Sequence, residues 1–272
     1  MRLAHRLLVA LAAWLVVAPA VVQHPAPALH VAAEQPHRRR SGDALLGGIF
    51  VWANQKPPGA AAIPNAANAL AVFVRTGPFW QDTARTTPAT VVGQNVKCWD
   101  DVSGNGKHAV WSSGGIPTLA TGGGVDFPSG GAQLDSPALS ADNTWSWYIT
   151  CTDANTGDNG IALSDTSGLT NTCVQPRVAG LTYFICGGTY DTLSDAVGET
   201  TRGMSCNGTA VTGFVGATEG SWTLTSSTVG GLTIGSINVT FPWQGQVRNV
   251  AFYSTTDDAT ARGNARTYLA TA

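Results

Sequence analysis

The sequence predicts an all-β protein, an antiparallel sandwich or barrel of short strands with a single helix at the carboxyl end. Trp145, Trp147, Ile149 and Cys151 alternate with Ser146, Tyr148 and Thr150, the two-residue period of a strand with one apolar face. Further apolar runs recur between clusters of Gly, Asn and Thr, at the turn spacing of sandwiches and barrels. Charged residues make up only 12% of the chain and glycine 32 of its 272 residues, a usage found in turn-rich extracellular or virion β proteins.

From the amino terminus, Arg2 and Arg6 precede an apolar run from Leu7 to Val17, and Ala18-Pro19-Ala20 places small residues at a cleavage position. Residues 1–20 therefore read as an export signal, too short for a bilayer span of about 20 residues. A retained anchor and a mis-called start codon are the two other readings. Residues 21–69 read as a low-complexity stalk rich in Ala, Pro, His and Arg, interrupted by the apolar segment ALLGGIFVWAN at 44–54. The cluster His37-Arg38-Arg39-Arg40 lies in this stalk and reads as solvated linker charge. With a net charge of -2, the chain lacks the basic surface that nucleic-acid binding by counterion release requires.

A uniform β texture begins at Leu70 and continues to residue 272. Strands are expected at Leu70–Val74, Leu181–Cys186, Val211–Val215, Leu232–Ile237 and Val247–Tyr253, besides the Trp145 segment. Asn-Gly pairs begin at 105, 159 and 207, and the pair at 207 sits between two candidate strands as a hairpin turn. Near the end, Ala261, Ala265, Tyr268 and Leu269 share one helical face. Asp257 and Asp258 are expected in its first turn, with Thr255 or Thr256 as the cap.

The five cysteines, at 98, 151, 173, 186 and 206, show no C-x-x-C pairing and no histidine at ligand spacing, which argues against a zinc site. Cys186 and Cys206 are the first candidates for a disulfide. Reduced core thiols are an equally good reading.

Three segments together resemble laminin-G-like domains of the concanavalin A-like lectin/glucanase superfamily, in its bacterial or phage-borne form. NVKCWDDVSGNGKHA at 95–109 is similar to the stretch V-x-x-W-x-D-x-SGNG-x-H-A of such domains. FWQDTARTTP at 79–88 looks like their lead-in, and FPWQGQVRNVAFYSTTDDATARGNARTYL at 241–269 looks like their closing strand and helix. The resemblance covers residues 70–272 and implies an antiparallel jelly-roll β-sandwich, concanavalin A-like, with a short carboxyl-terminal helix. It implies no single activity, because the fold carries glycosidases, lectins, adhesion modules and spacers.

Site candidates follow. Asp100, Asp101 and Asn105 offer hard oxygens, so Ca²⁺ is one reading of their loop. The other is a turn in which carboxylate and Ser103 hydroxyl accept backbone N–H groups while Gly104 and Gly106 supply positive φ. Glycoside hydrolysis needs two facing carboxyl groups. The only glutamates are Glu34, Glu199 and Glu219, outside any Glu-x-Asp-x-Glu pattern, and Asp153 and Asp158 read as solvated turn residues. His108 is the only histidine beyond the stalk and no G-x-S-x-G elbow accompanies it, so no catalytic triad is expected. On these grounds the sequence reads as no enzyme. Trp111, Trp222 and Trp243 are the candidates for stacking on a sugar ring. The expected function is a lectin-like module, secreted or on the cell surface, that binds a glycan or a surface protein. The alternative is a virion component, such as a fibre, tail or decoration protein.

Overall fold

The computed structural model describes residues 62–153, 160–166, 172–178, 180–195, 198–225, 228–235 and 243–272. The expected export signal, the stalk up to residue 61, the Asn159 turn and Asp158 lie outside them. Two antiparallel sheets form a β-sandwich. The front sheet has nine strands in the order β12 (Thr189–Ser194), β11 (Leu181–Cys186), β10 (Thr172–Val178), β9 (Leu163–Asp165), β16 (Leu232–Gly235), β7 (Gln133–Asp135), β4 (Ala109–Ser113), β3 (Cys98–Trp99) and β2 (Phe79–Trp80). The back sheet has eight. Seven run β15 (Thr218–Thr223), β14 (Ala210–Val215), β13 (Thr200–Asn207), β8 (Thr144–Asp153), β17 (Gly245–Tyr253), β6 (Val125–Phe127) and β5 (Thr118–Leu119), while β1 (Ala69–Phe73) pairs with the carboxyl-terminal half of β17.

The long strand β8 is central because its alternation fits the space between neighbours. Trp145, Trp147, Ile149 and Cys151 are all fully buried between the sheets. The rings of Trp145 and Trp147 meet at 5.1 Å, and from the front sheet Leu134, Leu163, Val174, Phe184 and Ile234 complete the same core. Trp99 closes one end against Phe73 and Phe79, at 5.6 and 5.5 Å. Each such ring removes roughly 150–250 Å² from water, on the order of 4–6 kcal/mol at about 25 cal/mol/Å², as an upper bound. The Asn207-Gly208 turn joins β13 to β14 with Asn207 opposite Ala210, the hairpin the sequence predicts.

Among the described residues one ion pair joins the sheets. The side chains of Arg202 on β13 and Asp195, directly after β12, are both fully buried and meet through two bonds, at 2.8 and 3.0 Å. Arg202 also donates to the carbonyls of Cys151 and Thr200, and Thr182 donates to Asp195. These bonds satisfy a charge pair that burial alone would penalise.

The opposite face of β8 departs from the expectation of a single apolar face. Ser146, Tyr148 and Thr150 are buried too. Over them lies helix α1 (Ala259–Thr271), whose Ala265, Tyr268 and Leu269 join Tyr148, Phe214, Ala251 and Tyr253 in a second core. Asp258 caps the helix, accepting from the Ala261 N–H at 2.8 Å, so neither Thr255 nor Thr256 is the cap. Asp257 is not a first-turn charge in solvent. It accepts from the Tyr148 hydroxyl at 2.5 Å, and its own N–H donates to the hydroxyls of Ser146 and Ser205. Burial pushes its carboxyl pKa up against the pull of the Tyr148 bond.

Residues 63–69, expected as the end of a loose stalk, are docked on this side. Ile63 packs on the second core, Asn65 donates to Thr255 and Asp257, and the Asn68 carbonyl accepts from the Ser254 N–H at 2.9 Å. Among the described residues no helix is long and apolar enough to cross a membrane.

Candidate functional site

With α1 covering the back sheet, the outer face of the front sheet is the one to search. Register fixes what it displays, because residues directly opposite one another in paired strands share a face. Leu134, Leu163, Val174 and Phe184 point into the core. Their neighbours Val110, Asp135, Thr233, Ser164, Cys173, Ile185 and Tyr190 therefore form one row across the outer face. Ser164 and Cys173, in the middle, are buried. The two ends differ from the middle and from each other.

At one end lies an array of polar side chains. The Ser113 hydroxyl donates to Gln133 Oε1 at 3.1 Å, Gln133 Nε2 donates to Asp135 at 2.9 and 3.0 Å, and Thr233 Oγ1 donates to Asp135 Oδ1 at 2.7 Å. Asp135 and Gln133 are half-buried, so the array is held in place yet reaches solvent. Beside it is a groove of about 380 Å³ lined by His108, Val110, Trp111, Ser112, Asp135 and Pro137. Donors and acceptors fixed beside a shallow groove are the arrangement that orients a hydroxyl-rich ligand. At the other end Tyr190 is 62% exposed, with its ring 5.4 Å from that of Tyr183.

The β3–β4 connection builds the rim of the groove. Asp101 accepts from the N–H groups of Val72, Ser103 and Lys107 and from the Ser103 hydroxyl, at 2.8 to 3.1 Å. Gly104 and Gly106 adopt φ of 94° and 68°, which only glycine enters at no steric cost. Asn105 turns its amide nitrogen onto the carbonyls of Ala69 and Leu70. Asp100 faces Arg85 Nε and His108 Nδ1, both at 3.0 Å.

This donor set does not fit the calcium ion considered for Asp100, Asp101 and Asn105. Such an ion needs six to eight converging oxygens, whereas these carboxylates already satisfy protein donors and Asn105 presents a nitrogen inward. Among the described residues no group of three or more His, Cys, Asp or Glu could hold a metal ion.

His108 has a defined tautomer. Arg85 can only donate, so its 2.8 Å contact makes Nε2 the acceptor and leaves the ring proton on Nδ1, directed at Asp100. The Asp101 N–H also lies 3.2 Å from Nδ1, but that nitrogen has no free lone pair in this tautomer, so the carboxylate contact is the hydrogen bond. Arg85 itself has φ of 60°, a conformation a non-glycine residue holds only when its surroundings fix it. Asp82 does so by accepting from the N–H groups of Thr86 and Thr87 and from the Thr86 hydroxyl. The Thr86 N–H bond is the main reason the Asp82 carboxyl is held down at about 2.

Of the three tryptophans singled out in the sequence, only Trp111 is among the groove's lining residues, but it lies opposite the inward Leu134 and packs against the core, its Nε1–H donating to the Gly115 carbonyl and Lys97 Nζ lying 5.5 Å from its ring centroid. Trp222 is half-buried and stacks on Phe184 at 5.7 Å. It lies so close to β14 and β15 that a Cβ on Gly213 or Gly220 would come within 2.7 or 2.6 Å of it. Trp243 is 2% exposed and packs on Phe127 at 5.9 Å. Trp243 is thus closed to a ligand, and Phe184 takes one ring face of Trp222. Glu199 is paired with Arg75 and Arg248, and Glu219 with Arg262 and Arg266.

Asp135, Gln133, Thr233, Tyr183 and Tyr190 were not singled out in the sequence. Tyr183 lies inside the expected strand Leu181–Cys186 and Tyr190 on the next strand, with nothing in the sequence to set either apart, and QLD at 133–135 is too short to show a period.

No protein-family model matches the sequence, and no curated protein matches it. Solved structures share the fold at low identity. A family 54 α-L-arabinofuranosidase aligns at 10% identity over 77% of this chain and 60% of its own, with a TM-score of 0.52. Trypanosoma rangeli sialidase aligns at 12% identity over 77% of this chain and 34% of its own, with a TM-score of 0.51. A botulinum neurotoxin type C chain, described as interacting with two ganglioside molecules, aligns at 9% identity over 75% of this chain and 51% of its own, with a TM-score of 0.50. The chain thus spans between a third and three-fifths of these proteins.

These likenesses correct the reading that the chain is no enzyme. Two of the three proteins are glycosidases, so a missing Glu-x-Asp-x-Glu pattern excludes one catalytic arrangement and not catalysis as such.

Proposed function

We propose that this chain binds carbohydrate on the outer face of its front sheet, as an exported or surface-displayed laminin-G-like module of the concanavalin A-like type. The observation that carries the reading is the Ser113–Gln133–Asp135–Thr233 array beside the groove at His108 and Trp111. Asp135 accepts hydroxyl donors and Gln133 offers both polarities. The Tyr183–Tyr190 pair supplies the apolar contact that C–H faces of sugars seek. The sandwich neighbours include a sialidase in complex with sialic acid and a toxin chain described with gangliosides, in keeping with a glycan ligand.

A glycan microarray probed with the wild-type chain and with Asp135→Ala tests the proposal. At least one glycan bound by the wild type and lost by the variant is the expected result. No bound glycan, or a signal indifferent to Asp135, would sink it. Export is tested separately by mass spectrometry of the mature amino terminus, where a start near Val21 is expected and an intact Met1 counts against it. The virion alternative draws no support from the structural neighbours.

A further inference from the structure

Cys186 ends β11 in the front sheet and Cys206 lies one residue before the end of β13 in the back sheet. Both are fully buried members of the core between the sheets. Register explains why they face each other. Cys186 follows the inward Phe184 by two residues, and Cys206 is paired with the inward Trp145 and Val211. The two side chains are hydrogen-bonded to each other, and the Cys206 thiol lies 3.2 Å from the Gly208 carbonyl. Neither thiol is bonded covalently.

We propose that Cys186 and Cys206 are an inter-sheet oxidation site whose disulfide forms while the chain folds and not after it has folded. The chemistry is two thiol–disulfide exchanges with a small disulfide such as oxidised glutathione. One cysteine attacks it to give a mixed disulfide and one glutathione thiol. The other then displaces the second glutathione, so two protein thiols are oxidised and one glutathione disulfide is reduced to two thiols. Exchange needs a thiolate and access to the sulfur. In the folded chain both are withheld. The side chains are buried, and the Cys206 contact together with burial drives the Cys186 thiol far above its ordinary pKa. During folding the thiols are solvated and still near neighbours in sequence. The sandwich therefore exists in two forms, set by the redox conditions under which it folded.

The test is to refold the full chain from denaturant in a glutathione redox buffer and, separately, in excess reductant. Alkylation and peptide mapping then follow. A linked peptide joining 186 to 206 is expected only in the oxidised sample, with a melting temperature about 5–10 °C higher, as expected for closing a roughly 20-residue loop. Oxidised glutathione added to the already folded reduced chain should give the same link at least tenfold more slowly. Cys186→Ser should abolish both the link and the temperature difference, and Cys206→Ser serves if that variant fails to fold. Cys173→Ser should retain both. All five thiols alkylated after oxidative refolding, a link between other cysteines, or equally fast oxidation of the folded chain would overturn the proposal.

Discussion

The two outer faces of the sandwich are built from similar strands and used differently. On the back sheet, polar side chains of β8 and β13 lie under α1 and are consumed internally, with Ser146, Ser205, Tyr148 and Asp257 bonding one another. On the front sheet, Gln133, Asp135 and Thr233 are tied together equally well, yet Asp135 and Gln133 keep access to solvent and border a groove. The contrast teaches that a satisfied polar network is not by itself a site. What separates the two is whether an element covers it.

The largest expected effect breaks the covered face. Leu269→Ala removes a fully buried side chain and should cost about 2–5 kcal/mol of unfolding free energy, seen as a lower denaturation midpoint. Glycan affinity of the remaining folded protein should be unchanged. Equal loss of affinity would mean that the faces are not separable. Next, Asp135→Ala on the open face should lower glycan affinity by about 10- to 100-fold, the result of about 1.5–3 kcal/mol from lost charge-assisted bonds. Its melting temperature should move far less than that of Leu269→Ala. Tyr190→Ala should weaken binding several-fold and change stability by no more than about 0.5 kcal/mol, as for an exposed position. Isothermal titration against the same glycan measures both variants.

A pH series sharpens the account of the groove's rim. The Asp82 carboxyl is lowered from 3.8 to about 2, so the folded state favours its charged form. The stability this provides is complete above the ordinary value and is lost as pH falls from about 4 toward 2. Asp82→Asn should lack that part of the acid-induced fall in melting temperature. The smallest expected effect is none: EDTA should leave the melting temperature where it was, because Asp101 is saturated by protein donors. A drop would restore calcium to the loop.

How legible these faces were in the sequence depended on strand length. β8 and β17 declare themselves because nine or ten residues of alternation fix which side chains face inward. The turn reading of the Asp101 loop was likewise available, since Asp, Ser and two glycines at that spacing have few other uses. Trp222 and Trp243 were harder. Near a strand end, a one-residue difference in register carries a ring from solvent to core, and Trp222 proved to lie on Phe184. Asp135 shares a three-residue strand with Gln133, while Thr233 and Ser113 come from other parts of the chain, so only pairing reveals the array. The burial of Tyr148 and Asp257 was hidden for a similar reason, because it depends on where α1 docks.

Amide hydrogen–deuterium exchange with and without a glycan found on the array tests the central claim most directly. Protection concentrated in Ala109–Ser113 and Gln133–Asp135, extending to Thr189–Ser194 for a longer glycan, is the predicted footprint. Protection confined to α1 and the back sheet, with the front sheet unchanged, would contradict the account.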